Sequence, residues 1–312
     1  MRKLSIYLVI TFFILEIICR FSPIPWMFEA SFSQIGSLRS VQKEIDENTN
    51  IDYIFFGNSL TRDAISPLLI NQYQDSDTSS LNLGVSAGST FVDYKLLLNL
   101  IDYPEIIFIQ SDLPRLALNF SDSFYFKKLS TFEDWSNINT NKLNLSNSPS
   151  KLLQSIDIWH RFIFYRDGTA RIGETLKKDY LGQFDVYNDE LLIDQGAFSQ
   201  DIYDNNWVEK INDDSLYFFQ KICEYSKVHE IQIVLIHLPL NSGNLQNKEI
   251  IINNYLQHLE NECVADTEIL NYTTELNSNL DLFLDYGHLN NAGAEIFTNI
   301  LAKDVNDLVN KK

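Results

Sequence analysis

Histidine is scarce in this chain, with five in 312 residues. There is no HExxH and no clustering of His with Asp, so no dedicated metal site is expected and no cofactor is assigned. The three cysteines, Cys19, Cys223 and Cys263, lie far apart without metal-type spacing. One pair could form a disulfide, but nothing in the sequence demands it. Basic residues are few as well: 24 Lys and Arg against 42 Asp and Glu give a formal net charge of −18. Such a surface repels nucleic acid and anionic lipid headgroups, and no Lys/Arg cluster argues for a nucleic-acid partner. What is present is the apolar content (45%) and aromatic content (13%) of a folded protein. The length suffices for a large core in one or two domains.

The N-terminus, "MRKLSIYLVITFFILEIICRF", places Arg2 and Lys3 before an apolar run from Leu4 to Cys19 that only Ser5, Thr11 and Glu16 interrupt. The run is shorter than the ~20 residues that cross a bilayer comfortably. Lys3 and Arg20 can snorkel, and Phe21 and Trp26 suit an interface. No small-x-small cleavage site follows, and Ile18 before Cys19 spoils a lipoprotein signal. The expectation is an uncleaved signal anchor over residues 1–25, with a cleaved signal and an amphipathic or buried helix as alternatives. With Arg2 and Lys3 inside, the body of the protein would stand outside the cytoplasmic membrane.

Behind a polar connector, residues 26–50, short apolar runs alternate with helix-like stretches. "DYIFF" (52–56), "SLNLGVS" (80–86), "EIIFIQ" (105–110), "EIQIVLIHLPL" (230–240) and the weaker "VADTEILNY" read as strands. "AISPLLINQYQ", "TFVDYKLLLNLI", "KEIIINNYLQHLENE" and the C-terminal "AGAEIFTNILAKDVNDLVNK" read as helices, with Pro67 tolerated only in a first turn. This alternation is that of an α/β fold whose parallel sheet is covered on both faces. One α/β domain is expected over residues 51–312, broken by an insertion at about 115–225 rich in Asn, Asp and aromatics. That insertion suits a lid, a glycan platform or a packed subdomain. No internal repeat is evident.

In such sheets ligands gather at the carboxyl ends of the strands. There "FFGNSLTR" sets Ser59 on a Gly57-Asn58 turn ahead of a helix. Ordinary turn chemistry would explain these residues, and so would a nucleophile held open to substrate. Near the C-terminus, "LFLDYGHLNNAG" spaces Asp285 and His288 three apart. A carboxylate so placed can accept the Nδ1–H of the imidazole and leave Nε2 as base. A capping Asp beside a surface His is the ordinary alternative.

Three blocks together resemble the SGNH/GDSL hydrolases: "FFGNSLTR", with Asn58 where many members carry Asp; "NLGVSAG" (82–88); and "FLDYGHLNNAG". The resemblance covers about residues 50–115 and 230–305 and implies a three-layer α/β/α sandwich with a flavodoxin-like sheet. It implies that Ser59 attacks an acyl ester, His288 takes its proton and Asp285 orients His288. The N–H groups of Ser59 and Gly84 would hold the oxyanion. One block departs: the usual G-x-N-D is replaced by "QSDL", with Gln110 at the Gly position and Asp112 at the Asn position. An ionised carboxylate cannot donate to an oxyanion. Asp112 would then bind a substrate hydroxyl, or another donor serves, or the fold is a noncatalytic binding or assembly module.

Anchored members with a long insertion and a similar ending tend to belong with surface-polysaccharide acetylation. The resemblance therefore implies an O-acyl esterase or O-acetyltransferase acting on a cell-surface carbohydrate, alongside a membrane acyl-donor protein. Arg62 is a second candidate for substrate binding, against a structural pair with Asp63 or Asp112. His237 is expected as a hydrogen-bonded core residue. His160 and the aromatic stretch "FYFKKLSTFEDW" have no clear role.

Overall fold

The five apolar runs become five strands of one sheet. The computed structural model describes residues 32–74, 78–117, 204–241 and 248–310, with a few isolated positions elsewhere. The chain divides into two compact units, residues 1–36 with 121–175 and residues 37–120 with 176–312. The second unit holds the sheet and nearly all the described residues. Its strands are β1 (Tyr53–Phe56), β2 (Ser80–Asn82), β3 (Ile106–Gln110), β4 (Gln232–His237) and β5 (Thr267–Asn271). They run in the order β2-β1-β3-β4-β5, every neighbouring pair parallel.

Continuous apolarity rather than alternation follows from burial on both faces. Tyr53, Phe55, Ile106, Phe108, Val234 and Ile236 point into one core. There they meet α2 (Ser59–Ala64), α3 (Pro67–Tyr73) and α9 (Asn291–Val309). The alternate residues, among them Ile54, Phe56, Ile107, Ile109, Ile233 and Leu235, are equally buried. On strand β4 lies α7 (Asp213–Val228), which also packs on α4 (Thr90–Leu97) through Phe91 and Phe218. The other helices are α1 (Phe32–Glu47), α5 (Leu113–Ala117), α6 (Trp207–Lys210) and α8 (Glu249–Glu262).

Three details differ from the reading of the sequence. The helix expected across "AISPLLINQYQ" starts later than its first residue: α2 stops at Ala64, and α3 opens on Pro67, in its first turn as expected, with Ser66 accepting from Leu69 N–H. Proline holds the residue before it extended, and Ser66 sits at φ −96°, ψ 109°. The second strand is only three residues long, although Leu83 N–H and Val85 N–H still bond to Phe55 O and Gly57 O. Helix α7 belongs to the sheet domain, burying Phe218, Phe219, Ile222 and Cys223, so the insertion gives way by Asp213. Of the rest of the insertion, residues 115–117 lie in α5 and residues 204–212 carry α6, while nearly all of 118–203 lies outside the described residues.

Cys223 of α7 and Cys263, which follows α8, form a disulfide. The expected N-terminal anchor falls largely outside the described residues, of which Tyr7, Ile10, Thr11 and Ile14 are helical. Among the described residues no helix is long and apolar enough to cross a membrane.

Candidate active site

Strand order reverses between β1 and β3: the chain leaves β1 for β2 on one side and returns to β3 on the other. A crevice opens at the carboxyl ends of such neighbours. Strand β1 ends at Gly57, and Asn58 caps α2, its Oδ1 accepting Leu60 N–H at 2.8 Å. Ser59 is the first helical residue, where an amide has no intrahelical acceptor.

His288 reaches this serine from across the chain. Its Nε2 lies 2.8 Å from Ser59 Oγ, and its Nδ1 lies 2.7 Å from Asp285 Oδ2. The turn that carries the pair is tied at several points. Asp285 Oδ1 accepts the amides of Gly287 (2.9 Å) and His288 (2.8 Å). Asn241 N–H donates to Tyr286 O and Leu284 N–H to His288 O. Asn290 then caps α9, accepting from Gly293 N–H at 3.0 Å. Burial raises the Asp285 pKa, but the imidazole and the two amides outweigh it and hold the carboxyl below its ordinary range. An ionised Asp285 is the form that fixes Nδ1–H and leaves Nε2 facing Oγ. Both side chains are about 14% exposed.

Beside this relay stands the second sequence block. Gly84 does not offer its amide to the crevice: it donates to Asn82 Oδ1 at 3.0 Å. Gly84 serves close packing instead, since a Cβ there would lie 2.6 Å from Arg62 N and 2.9 Å from Asn58 O. The residue missed by the sequence reading is Ala87, exposed at φ 55° in the turn closed by Gly88 N–H on Val85 O. The turn abuts the nucleophile loop, where a Cβ on Gly88 would meet Gly57 O at 2.6 Å. Among the described residues the amides of Ser59 and Ala87 have no acceptor.

Arg62 and Asp112, the candidates for substrate binding, are both engaged inside the fold, and for Arg62 the alternative pairing with Asp63 is the one formed. Arg62 is 1% exposed. Its Nε and Nη2 hold Asp63 at 2.6 and 2.9 Å, and its Nη1 donates to Ser86 Oγ. That Asp63 carboxylate stands 4.0 Å from His288 Nε2. Asp112 accepts from Gln110 Nε2 through Oδ1 and from Arg115 N–H through Oδ2 at 3.3 Å. Burial pushes its pKa up, against the pull of Arg115 and of these hydrogen bonds. Tucked behind it, Arg115 is fully buried and ion-paired with Asp93 of α4. It also donates to Gln110 O at 2.8 Å and Gly88 O at 3.2 Å, joining α4, β3 and the second block.

His237 ends β4 with Nδ1 2.8 Å from Thr273 Oγ1 and 3.2 Å from Leu238 O, and burial lowers its pKa to about 4. Thr273 donates its own proton to Asn271 Oδ1, so the imidazole is the donor to Thr273 and remains neutral. His160 and "FYFKKLSTFEDW" lie outside the described residues.

No family model matches the chain. No curated protein matches its sequence. Among solved structures it is similar to one from Streptococcus pneumonia described as a platelet activating factor, at 12% identity and a TM-score of 0.43, over 87% of this chain and 94% of that one.

Proposed function

We propose that the protein is a serine-dependent acyl esterase or acyltransferase that works through an acyl-Ser59 intermediate. The observation that carries this reading is the continuous relay from Asp285 Oδ2 to His288 Nδ1, and from His288 Nε2 to Ser59 Oγ, at 2.7 and 2.8 Å. A hydrogen-bonded serine is a weak nucleophile until a base at that distance takes its proton. Ser59 Oγ adds to the acyl carbon as its proton passes to His288 Nε2, and the imidazolium is held by Asp285. The carbonyl oxygen becomes an oxyanion received by the Ser59 and Ala87 amides. Collapse expels the alcohol, which leaves with the proton from His288. Water or an acceptor hydroxyl then adds in the same way, giving hydrolysis or transfer.

The acyl group and acceptor that fit this reading best are an acetyl ester and a hydroxyl of a cell-surface polysaccharide. The enzyme would be held outside the membrane by its N-terminal segment and supplied by a membrane acyl donor. The Cys223–Cys263 disulfide supports an oxidising compartment. Asp112 does not argue for a dead site, because its carboxylate is committed to Gln110 and Arg115 rather than to an oxyanion. The test is a fluorophosphonate applied to the purified protein, with acetate release from acetylated xylan measured in parallel. Labelling of Ser59 that disappears in His288→Ala is the expected result. Failure to label beside a reactive control esterase would favour a noncatalytic binding or assembly module.

A further inference from the structure

Gln110 has no place in the relay, yet its buried amide grips the nucleophile turn on both sides of Ser59. Its Oε1 accepts the Asn58 N–H at 2.8 Å and the Thr61 hydroxyl at 2.7 Å. Those are the residues immediately before and two after Ser59. The turn is shaped to admit the amide: a Cβ on Gly57 would stand 1.9 Å from Thr61 Oγ1 and 2.5 Å from Gln110 Oε1. Orientation of the amide is set from its far end, where Nε2 donates to Asp112 Oδ1. A backbone N–H on one side and a carboxylate on the other leave a single sense for the oxygen and nitrogen. The backbone of Gln110 is in turn pinned by Arg115 Nη1.

We propose that Gln110 is the positioning residue of the nucleophile, a clamp that bridges the crevice between β1 and β3 and is oriented by Asp112. The proposal rests on Ser59 being the nucleophile. Without the clamp, the half-buried Asn58 amide loses its acceptor, and the turn must shift to find another. A displacement near 1 Å at a reacting atom costs on the order of a hundredfold in rate. Asp112 is then a second positioning residue that never touches substrate.

The pair can be inverted. In Gln110→Glu with Asp112→Asn, the new carboxylate accepts from Asn58, Thr61 and the new amide, whose oxygen still accepts Arg115 N–H. Gln110→Glu alone sets two carboxylates against each other. Asp112→Asn alone leaves either Gln110 or Arg115 N–H without an acceptor.

The measurements are kcat and KM on a short-chain nitrophenyl ester, the rate of fluorophosphonate labelling, and hydrogen exchange at the Asn58 amide. Gln110→Ala and Gln110→Glu are expected to lower kcat and labelling by about a hundredfold with KM little changed, and to speed exchange at Asn58. The double variant is expected to recover about tenfold or more over Gln110→Glu. Wild-type rates in Gln110→Ala, or a double variant no better than Gln110→Glu, would overturn the clamp. A wild-type protein that does not label would instead remove the nucleophile reading. Exchange at Asn58 then decides for the clamp if Gln110→Ala speeds it and against if it does not.

Discussion

The smallest differences at the site are single hydrogen bonds. Asp285 is held ionised by one ring N–H and two amides, and its substitution should show mainly in turnover. Asp285→Asn keeps the shape but presents the wrong partner to Nδ1, and kcat is expected to fall about 10³–10⁴-fold in a steady-state ester assay. His237 makes the opposite kind of prediction. Its folded pKa is about 4 against an ordinary 6.5, so between those values the unfolded chain binds a proton that the folded one refuses. Stability is full above pH 6.5 and falls as the pH drops toward 4, by about 3 kcal/mol in all, then levels off. Urea unfolding at pH 7 and pH 4.5 should show this loss, and it should shrink in His237→Gln.

At the scale of elements, the site depends on how closely the second block lies against α2. Gly84→Ala forces a methyl into the Arg62 and Asn58 backbone and is expected to cost about 1–3 kcal/mol, read by thermal melting. The same displacement would move the start of α2, so ester turnover should fall further than stability alone explains. The elements themselves were readable because a doubly covered parallel strand needs an unbroken apolar run, as in "IIFIQ" and "QIVLIH". The Asp285–His288 pair was readable because its spacing is local, whereas its meeting with Ser59, 229 positions away, was expected only from the resemblance of the three blocks. Ala87 was not, since nothing in an alanine announces φ 55°. Nor was Gln110, whose partners on the nucleophile turn lie 49 to 52 residues away and are brought to it only by the pairing of β1 with β3. The Arg62–Asp63 pair was one of the readings that adjacency offered, whereas only packing shows that Asp112 is taken by Gln110 and Arg115.

The whole domain is closed by contacts between distant segments. The Cys223–Cys263 bridge spans 40 residues and ties α7 to the residue that ends α8. Removing it through a double Cys→Ala variant should lower stability by about 4 kcal/mol, measured by urea unfolding with and without reductant. The wild-type protein should lose a similar amount on reduction, and the variant nothing. Since neither sulfur touches the relay, ester turnover of the still-folded variant should be preserved.

Ser59 and His288 are separated by 229 positions, with β2, β3, β4 and β5 all lying between them in the chain. A chain emerging from the ribosome therefore carries Ser59 long before it carries His288. The Ser59 hydroxyl has no imidazole beside it until the segment that carries His288 docks. Reactivity toward a fluorophosphonate would thus time the completion of folding.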